Sequence, residues 1–155
     1  MEMERMGAML ETVKVFFYND EWFYVEMESR PVLRMNHWGA NGRFSCQAEI
    51  NEEQQIFYFY SYFPVNVPAE KRTEMAEFIT RANYGMRVGN FEMDFVDGEV
   101  RFKTSVDVEN DELTRALISN HVYTNVWTMD RYLPGLFAMV YSDKTPLEAI
   151  EMIEE

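Results

Sequence analysis

Glu92 and Asp94 stand two apart in N-F-E-M-D-F, so on a strand both carboxylates would project from one face. A pair of that kind can exchange protons or hold a metal ion. A second acidic group, Asp107-Val-Glu109-Asn-Asp111-Glu112, opens like a calcium loop. It lacks the glycine such a loop needs at its sixth position, here Glu112, and the glutamate at its twelfth, here Ile118. Cys46 is the single cysteine, and His37 and His121 are the two histidines. Cys46 would be a nucleophile only with a histidine beside it. His37 is on the neighbouring strand, which leaves that arrangement open. The nucleophile-elbow, zincin, phosphate-loop and dinucleotide-binding motifs do not occur in the chain.

Each constellation has a plainer reading. Lys103 and Arg101 follow Glu92 and Asp94 across a turn, which predicts solvent-facing ion pairs. Acids at 107–112 suit a helix N-terminus, where the dipole favours them. Cys46 falls on the apolar side of its segment, as unpaired cysteines usually do. The residues therefore predict no catalytic site, no cofactor and no metal. The row Ile56, Tyr58, Tyr60 and Tyr62 is different. Aromatic side chains concentrate where a second chain docks, so these four form the candidate surface for a second subunit or a partner.

The element that organises the chain is a hairpin, Asn90 to Asp107. Asp97-Gly98 signals a two-residue type I′ turn between alternating runs. That turn would set Phe95 opposite Val100, Asp94 opposite Arg101, Met93 opposite Phe102 and Glu92 opposite Lys103. Phe91, Met93, Phe95, Val100 and Phe102 would then face inward, and the charged residues outward.

Around it the other elements read in order. Residues 4–18 carry a helical stripe, Met6, Met9, Leu10, Val13 and Phe17. Trp22 to Glu28 alternates weakly, with Phe23, Val25 and Met27 on one side. Val32 to Trp38 is a strand, Gly39 to Gly42 a hairpin loop, and Phe44, Cys46, Ala48 and Ile50 the apolar side of the next strand. In Gln54 to Phe63, Phe57, Phe59 and Phe63 oppose Ile56, Tyr58, Tyr60 and Tyr62, and aromatics on both faces want cover on both. Pro68 opens a helix with the stripe Met75, Phe78, Ile79 and Ala82, closed at Gly85. After the hairpin, Asn110 or Asp111 caps a long helix through residue 141, and Pro134 predicts a kink or a break. Thr145-Pro146-Leu147-Glu148 is a capping box that opens a short last helix. The fold class is α+β: one antiparallel sheet with helices on one face, in the order α-β-β-β-α-β-β-α, with residues 1–155 as one domain.

Acidic residues outnumber basic ones 27 to 14 in 155 residues, for a net charge of −13. No basic cluster is present to meet nucleic acid, and an anionic membrane surface would repel the chain. Residues 1–10 are too acidic for a signal peptide, and no run approaches the roughly 20 apolar residues of a membrane span. A reducing cytoplasm is the expected compartment.

Four segments carry a family resemblance: P-V-N-V-P (64–68), R-A-N-Y-G-M-R-V-G-N-F-E-M-D (81–94), D-G-E-V-R-F-K-T-S (97–105) and T-M-D-R-Y-L-P-G (128–135). They resemble the YbjN family, whose name in use is that of a bacterial sensory transduction regulator. The resemblance implies a fold like that of type III secretion chaperones, which look like homodimers holding extended segments of partner proteins. It carries over no catalytic residue. Two functions follow as expectations: a non-enzymatic, chaperone-like homodimer that binds a segment of another protein, or a carrier of a small apolar ligand in a pocket between the sheet and the C-terminal helix.

Overall fold

The structure, a computed structural model, describes residues 7–154. In order it contains α1 (Ala8–Asn19), β1 (Tyr24–Glu26), β2 (Val32–Trp38), β3 (Arg43–Asn51), β4 (Ile56–Tyr62), a 3-10 turn (Ala69–Lys71), α2 (Arg72–Asn83), β5 (Asn90–Met93), β6 (Val100–Asp107), α3 (Arg115–Tyr141) and α4 (Pro146–Glu151). The strands form one sheet in the order β1-β2-β3-β4-β6-β5, and every neighbouring pair is antiparallel. The expected α+β class and its order hold, with β1 added at the sheet edge and α4 at the end. Met6, the first residue of the expected helical stripe, lies outside the described residues.

Alternation within each strand sorts side chains between two faces. Leu33, Met35, Phe44, Cys46, Ala48, Ile50, Phe57, Phe59, Phe91, Val100 and Phe102 point to the helices and are buried there. The apolar stripes of α1 (Val13, Phe16, Phe17), α2 (Met75, Phe78, Ile79, Ala82) and α3 (Ile118, Val122, Val126, Met129, Leu133) meet them in one continuous core. The Glu52 carboxylate, from the β3–β4 turn, accepts from the Leu10 N–H at 3.0 Å and satisfies a free donor at the start of α1.

Three local expectations change. The hairpin register is offset by two residues: Glu92 lies opposite Arg101, Phe91 opposite Phe102 and Met93 opposite Val100. A two-residue offset keeps every side chain on its face, so the core assignment survives. The turn is longer because its tip is held from outside. Asp94 accepts from the Val96 and Gly98 N–H groups, and the Val67 N–H donates to the Gly98 carbonyl at 2.9 Å. Arg72 donates to the carbonyls of Phe95 and Val96. Gly98 sits at φ +79°, where a Cβ would strike the Val67 backbone. Phe95 leaves the strand and is exposed rather than inward-facing.

The long helix is capped by the Thr114 hydroxyl, which accepts from the Leu117 N–H, and not by Asn110 or Asp111. It also runs unbroken through Pro134. Proline leaves the Asp130 carbonyl without its helical donor. The Asn41 side-chain amide, from the β2–β3 loop, donates to that carbonyl at 3.0 Å. The Asp130 carboxylate in turn accepts from the Ala40 and Asn41 N–H groups at 3.1 and 2.8 Å.

Candidate functional site

The face of the sheet away from the helices is the candidate surface. Ile56, Tyr58, Tyr60 and Tyr62 all lie on it, in one row along β4. Tyr58 and Tyr60 stack with centroids 6.1 Å apart, and Tyr62 continues the row at 6.2 Å. The row is not bare. The Arg101 guanidinium lies 4.2 Å over the Tyr60 ring, and Gln47 and Lys103 flank that ring from β3 and β6. Arg101 is held by Glu92 at 2.9 Å, and Lys103 reaches the same carboxylate at 3.4 Å. Tyr60 is thus only 6% exposed, and burial pushes its hydroxyl up to about 12 against the opposing Arg101 charge. Within the chain, cover over the aromatic row comes from the long side chains of Arg101 and Lys103, and the expected cover, a second subunit or a partner chain, would lie on top of them.

Charge sorts between the faces as well. The outer positions of the six strands carry four cations, Arg34, Arg43, Arg101 and Lys103, against three carboxylates, Glu49, Glu92 and Asp107. The whole chain stands at −13, so its excess acid lies elsewhere.

The other sequence candidates do not assemble. Cys46 is buried, and burial pushes its thiol up to about 12; its polar neighbour is the Ser61 hydroxyl at 3.4 Å. The His37 ring stacks on Trp22 at 5.7 Å and packs on Phe44 at 5.3 Å. The His121 Nδ1 lies 2.7 Å from the Leu117 carbonyl. The acids at 107–112 serve the backbone: Asp107 accepts from the Glu109 N–H and Asp111 from the Glu112 N–H. Among the described residues no group of three or more His, Cys, Asp or Glu is placed to hold a metal ion. The space expected to hold a ligand between sheet and α3 is filled by Val122, Val126, Met129 and Leu133, all fully buried.

One polar centre escaped the sequence reading. Asn125 interrupts the apolar stripe of α3 and is fully buried against the middle of the sheet. Its amide donates to the carbonyls of Phe59 (2.8 Å) and Phe102 (3.0 Å) and to the Thr104 hydroxyl (3.3 Å); its carbonyl accepts from the Ser61 hydroxyl at 2.5 Å. The signal was available: Asn125 sits three residues after Val122 and four before Met129, on the buried side of the helix.

The family model described as "Putative bacterial sensory transduction regulator", named YbjN, matches residues 19–138. The chain belongs to the YbjN family. Among solved structures, the crystal structure of YbjN from E. coli, described as "a putative transcription regulator", superposes with a TM-score of 0.59 at 11% identity. The match covers 78% of this chain and 85% of that one. The HopA1–SchA chaperone–effector complex contains a chain that superposes with a TM-score of 0.53 at 11% identity, covering 84% and 95%. No curated protein matches the sequence. At that identity the likeness is one of fold, and the chaperone-like YbjN fold implied by the four segments is the one observed. Among the described residues no helix is long and apolar enough to cross a membrane.

Proposed function

We propose that this YbjN-family chain is a non-enzymatic binding module of the cytoplasm, one domain throughout. It pairs with a second copy through the outer face of its sheet and holds a segment of a partner protein. The observation that carries the reading is the outer face itself. It is the side of the sheet with no helix on it, it presents the row Ile56, Tyr58, Tyr60 and Tyr62, and it escapes the acid excess of the rest of the chain. Likeness of fold to a chain of a chaperone–effector complex supports the same reading.

The parts of this face on β4, β6 and β5 can meet about a two-fold axis without bringing strong like charge together, since Glu92 neutralises much of Arg101 and Lys103. Aromatic side chains bury on the order of 150–250 Å² each, so three or four with their neighbours approach the roughly 800 Å² per partner of a standard interface. The −13 charge on each copy opposes association at long range, so the dimer should tighten as salt rises. Sedimentation equilibrium is the test. A dimer at tens of micromolar in moderate salt is expected. Tyr58→Asp with Tyr62→Asp should give folded monomer, because both tyrosines are less buried than Tyr60. A monomer under the same conditions in the unmodified chain overturns the pairing.

A further inference from the structure

The β1 end of the outer face differs from its centre. Phe23 is 95% exposed, Val25 67% and Trp38 69%. All three line an open hollow of about 1150 Å³ that runs along β1, β2 and β3. Isolated exposed apolar residues are ordinary, but several sharing one concave surface mark a contact site. The volume exceeds the roughly 300–1,000 Å³ that drug-sized ligands occupy, which favours a chain over a small molecule.

Three arginines surround those apolar residues. Arg34 and Arg30 line the hollow, and the Arg43 guanidinium lies 5.2 Å over the Trp38 ring. Among the described residues none of the three makes an ion pair, although carboxylates outnumber cations 27 to 14 in the chain. Arg30 reaches only the Met27 sulfur, at 3.8 Å. Three acids also line the hollow. Asp20 is taken up by Arg115 at 3.1 Å and by the Tyr123 hydroxyl at 2.9 Å, which leaves Glu21 and Glu99.

We infer that this hollow docks an extended polypeptide segment in which apolar side chains alternate with carboxylates. The inference rests on the protein-binding reading above and adds the chemistry of the partner. Apolar side chains would cover Phe23, Val25 and Trp38, and carboxylates would meet Arg30, Arg34 and Arg43 in the bidentate geometry that guanidinium favours. A second copy fits poorly here, because a two-fold contact would set the same unpaired arginines against each other. A nucleic-acid strand fits poorly too. It carries charge at every step, and the −13 charge of the whole chain opposes its approach.

Fluorescence anisotropy with the full chain tests this. The probe is a short fluorescein-labelled peptide repeating Asp-Phe-Asp-Leu twice. The same peptide with Lys for Asp and an oligothymidylate of equal length are the comparisons. The acidic peptide should bind at least about tenfold tighter than either comparison, and weaken as salt rises. Arg34→Glu and Arg34→Gln should each weaken it, the first by about tenfold or more, and Trp38→Ala should weaken it by a similar factor. These side chains are exposed, so far-UV circular dichroism should not change. Equal binding of the acidic and basic peptides, tighter binding of the oligothymidylate, absence of binding by the acidic peptide, or indifference to all three substitutions overturns the inference. Sedimentation of Arg34→Glu separates the two readings. A variant that still dimerises but no longer binds peptide is expected if both hold, and an unmodified chain that dimerises without binding peptide overturns only the partner chemistry.

Discussion

Asn125→Ala is the substitution whose cost can be worked most directly from the structure. Four hydrogen bonds converge on this fully buried amide: two backbone carbonyls and the Thr104 hydroxyl as acceptors, and the Ser61 hydroxyl as donor. Each buried bond contributes about 0.5–1.5 kcal/mol net, and partners left unpaired in the core cost more. Alanine also leaves a small void against the centre of the sheet. The expected loss is about 3–4 kcal/mol, a large part of the roughly 5–15 kcal/mol that holds a domain folded. Ser61→Ala removes the bond to the Asn125 carbonyl and the weaker contact with the Cys46 thiol and leaves the amide its three acceptors, so it should cost about 1–2 kcal/mol. The two side chains share a bond, so the double variant should lose about 0.5 kcal/mol or more less than the separate losses combined. Urea unfolding followed by circular dichroism supplies the numbers, provided the slope with denaturant does not change. A loss for Asn125→Ala under about 1 kcal/mol, or strict additivity with Ser61→Ala, would refute the reasoning.

Phe102, fully buried between Phe91 and the α3 layer, should lose about 3–5 kcal/mol on replacement by Ala, against about 1–2 kcal/mol for Arg101→Ala, whose ion pair and ring contact are partly solvated. The reverse order in denaturation midpoints would count against the face assignment of the hairpin. Cys46 should resist a thiol reagent in native buffer and react on unfolding; fast native labelling near neutral pH would reopen the question of a nucleophile. Stability should also fall in alkali. The Cys46 thiol is raised from 9.0 to about 12 by burial, and the Tyr60 hydroxyl from 10.0 to about 12 by burial. The unfolded chain therefore releases these protons first. Their stabilisation is complete below about pH 9 and is lost between there and about pH 12, which titration of the unfolding midpoint would detect. A midpoint that stays level across that window would argue against burial of both groups.

Periodicity made most of the fold legible. The stripe Met75, Phe78, Ile79, Ala82 named a buried helix face, and the alternation in 43–51 and 56–62 named the inner sheet face. What stayed hidden depends on contacts between elements. No local pattern announces that β4 pairs with β6 and leaves β5 at the edge. The Asp97-Gly98 signal was read as a two-residue turn because the grip of Val67 and Arg72 on the loop lies outside the hairpin. Parity places Tyr60 on the outer face, yet its burial comes from side chains of the neighbouring strands, Arg101 above all. Asn125 is a single polar residue that interrupts an apolar stripe without changing its period, and only contact with the sheet shows that its bonds join α3 to β4 and β6.

The adjacency of β4 and β6 has a consequence for how the chain is made. Val100 follows Tyr62 by 38 positions, and α2 and β5 lie between them. At roughly 5–20 residues per second, a ribosome delivers the β1–β4 meander about 2–8 s before the strand that closes its growing edge. During that interval the exposed margin is I-F-Y-F-Y-S-Y-F, a stretch with no charge and no proline, able to zip against the same stretch of a neighbouring nascent chain. Pro64 and the carboxylates Glu52 and Glu53 bracket it, which limits the length of any such misplaced ladder. Release of the chain before β6 has emerged should therefore yield insoluble material, and slow codons placed between residues 62 and 100 should lower the yield of folded protein.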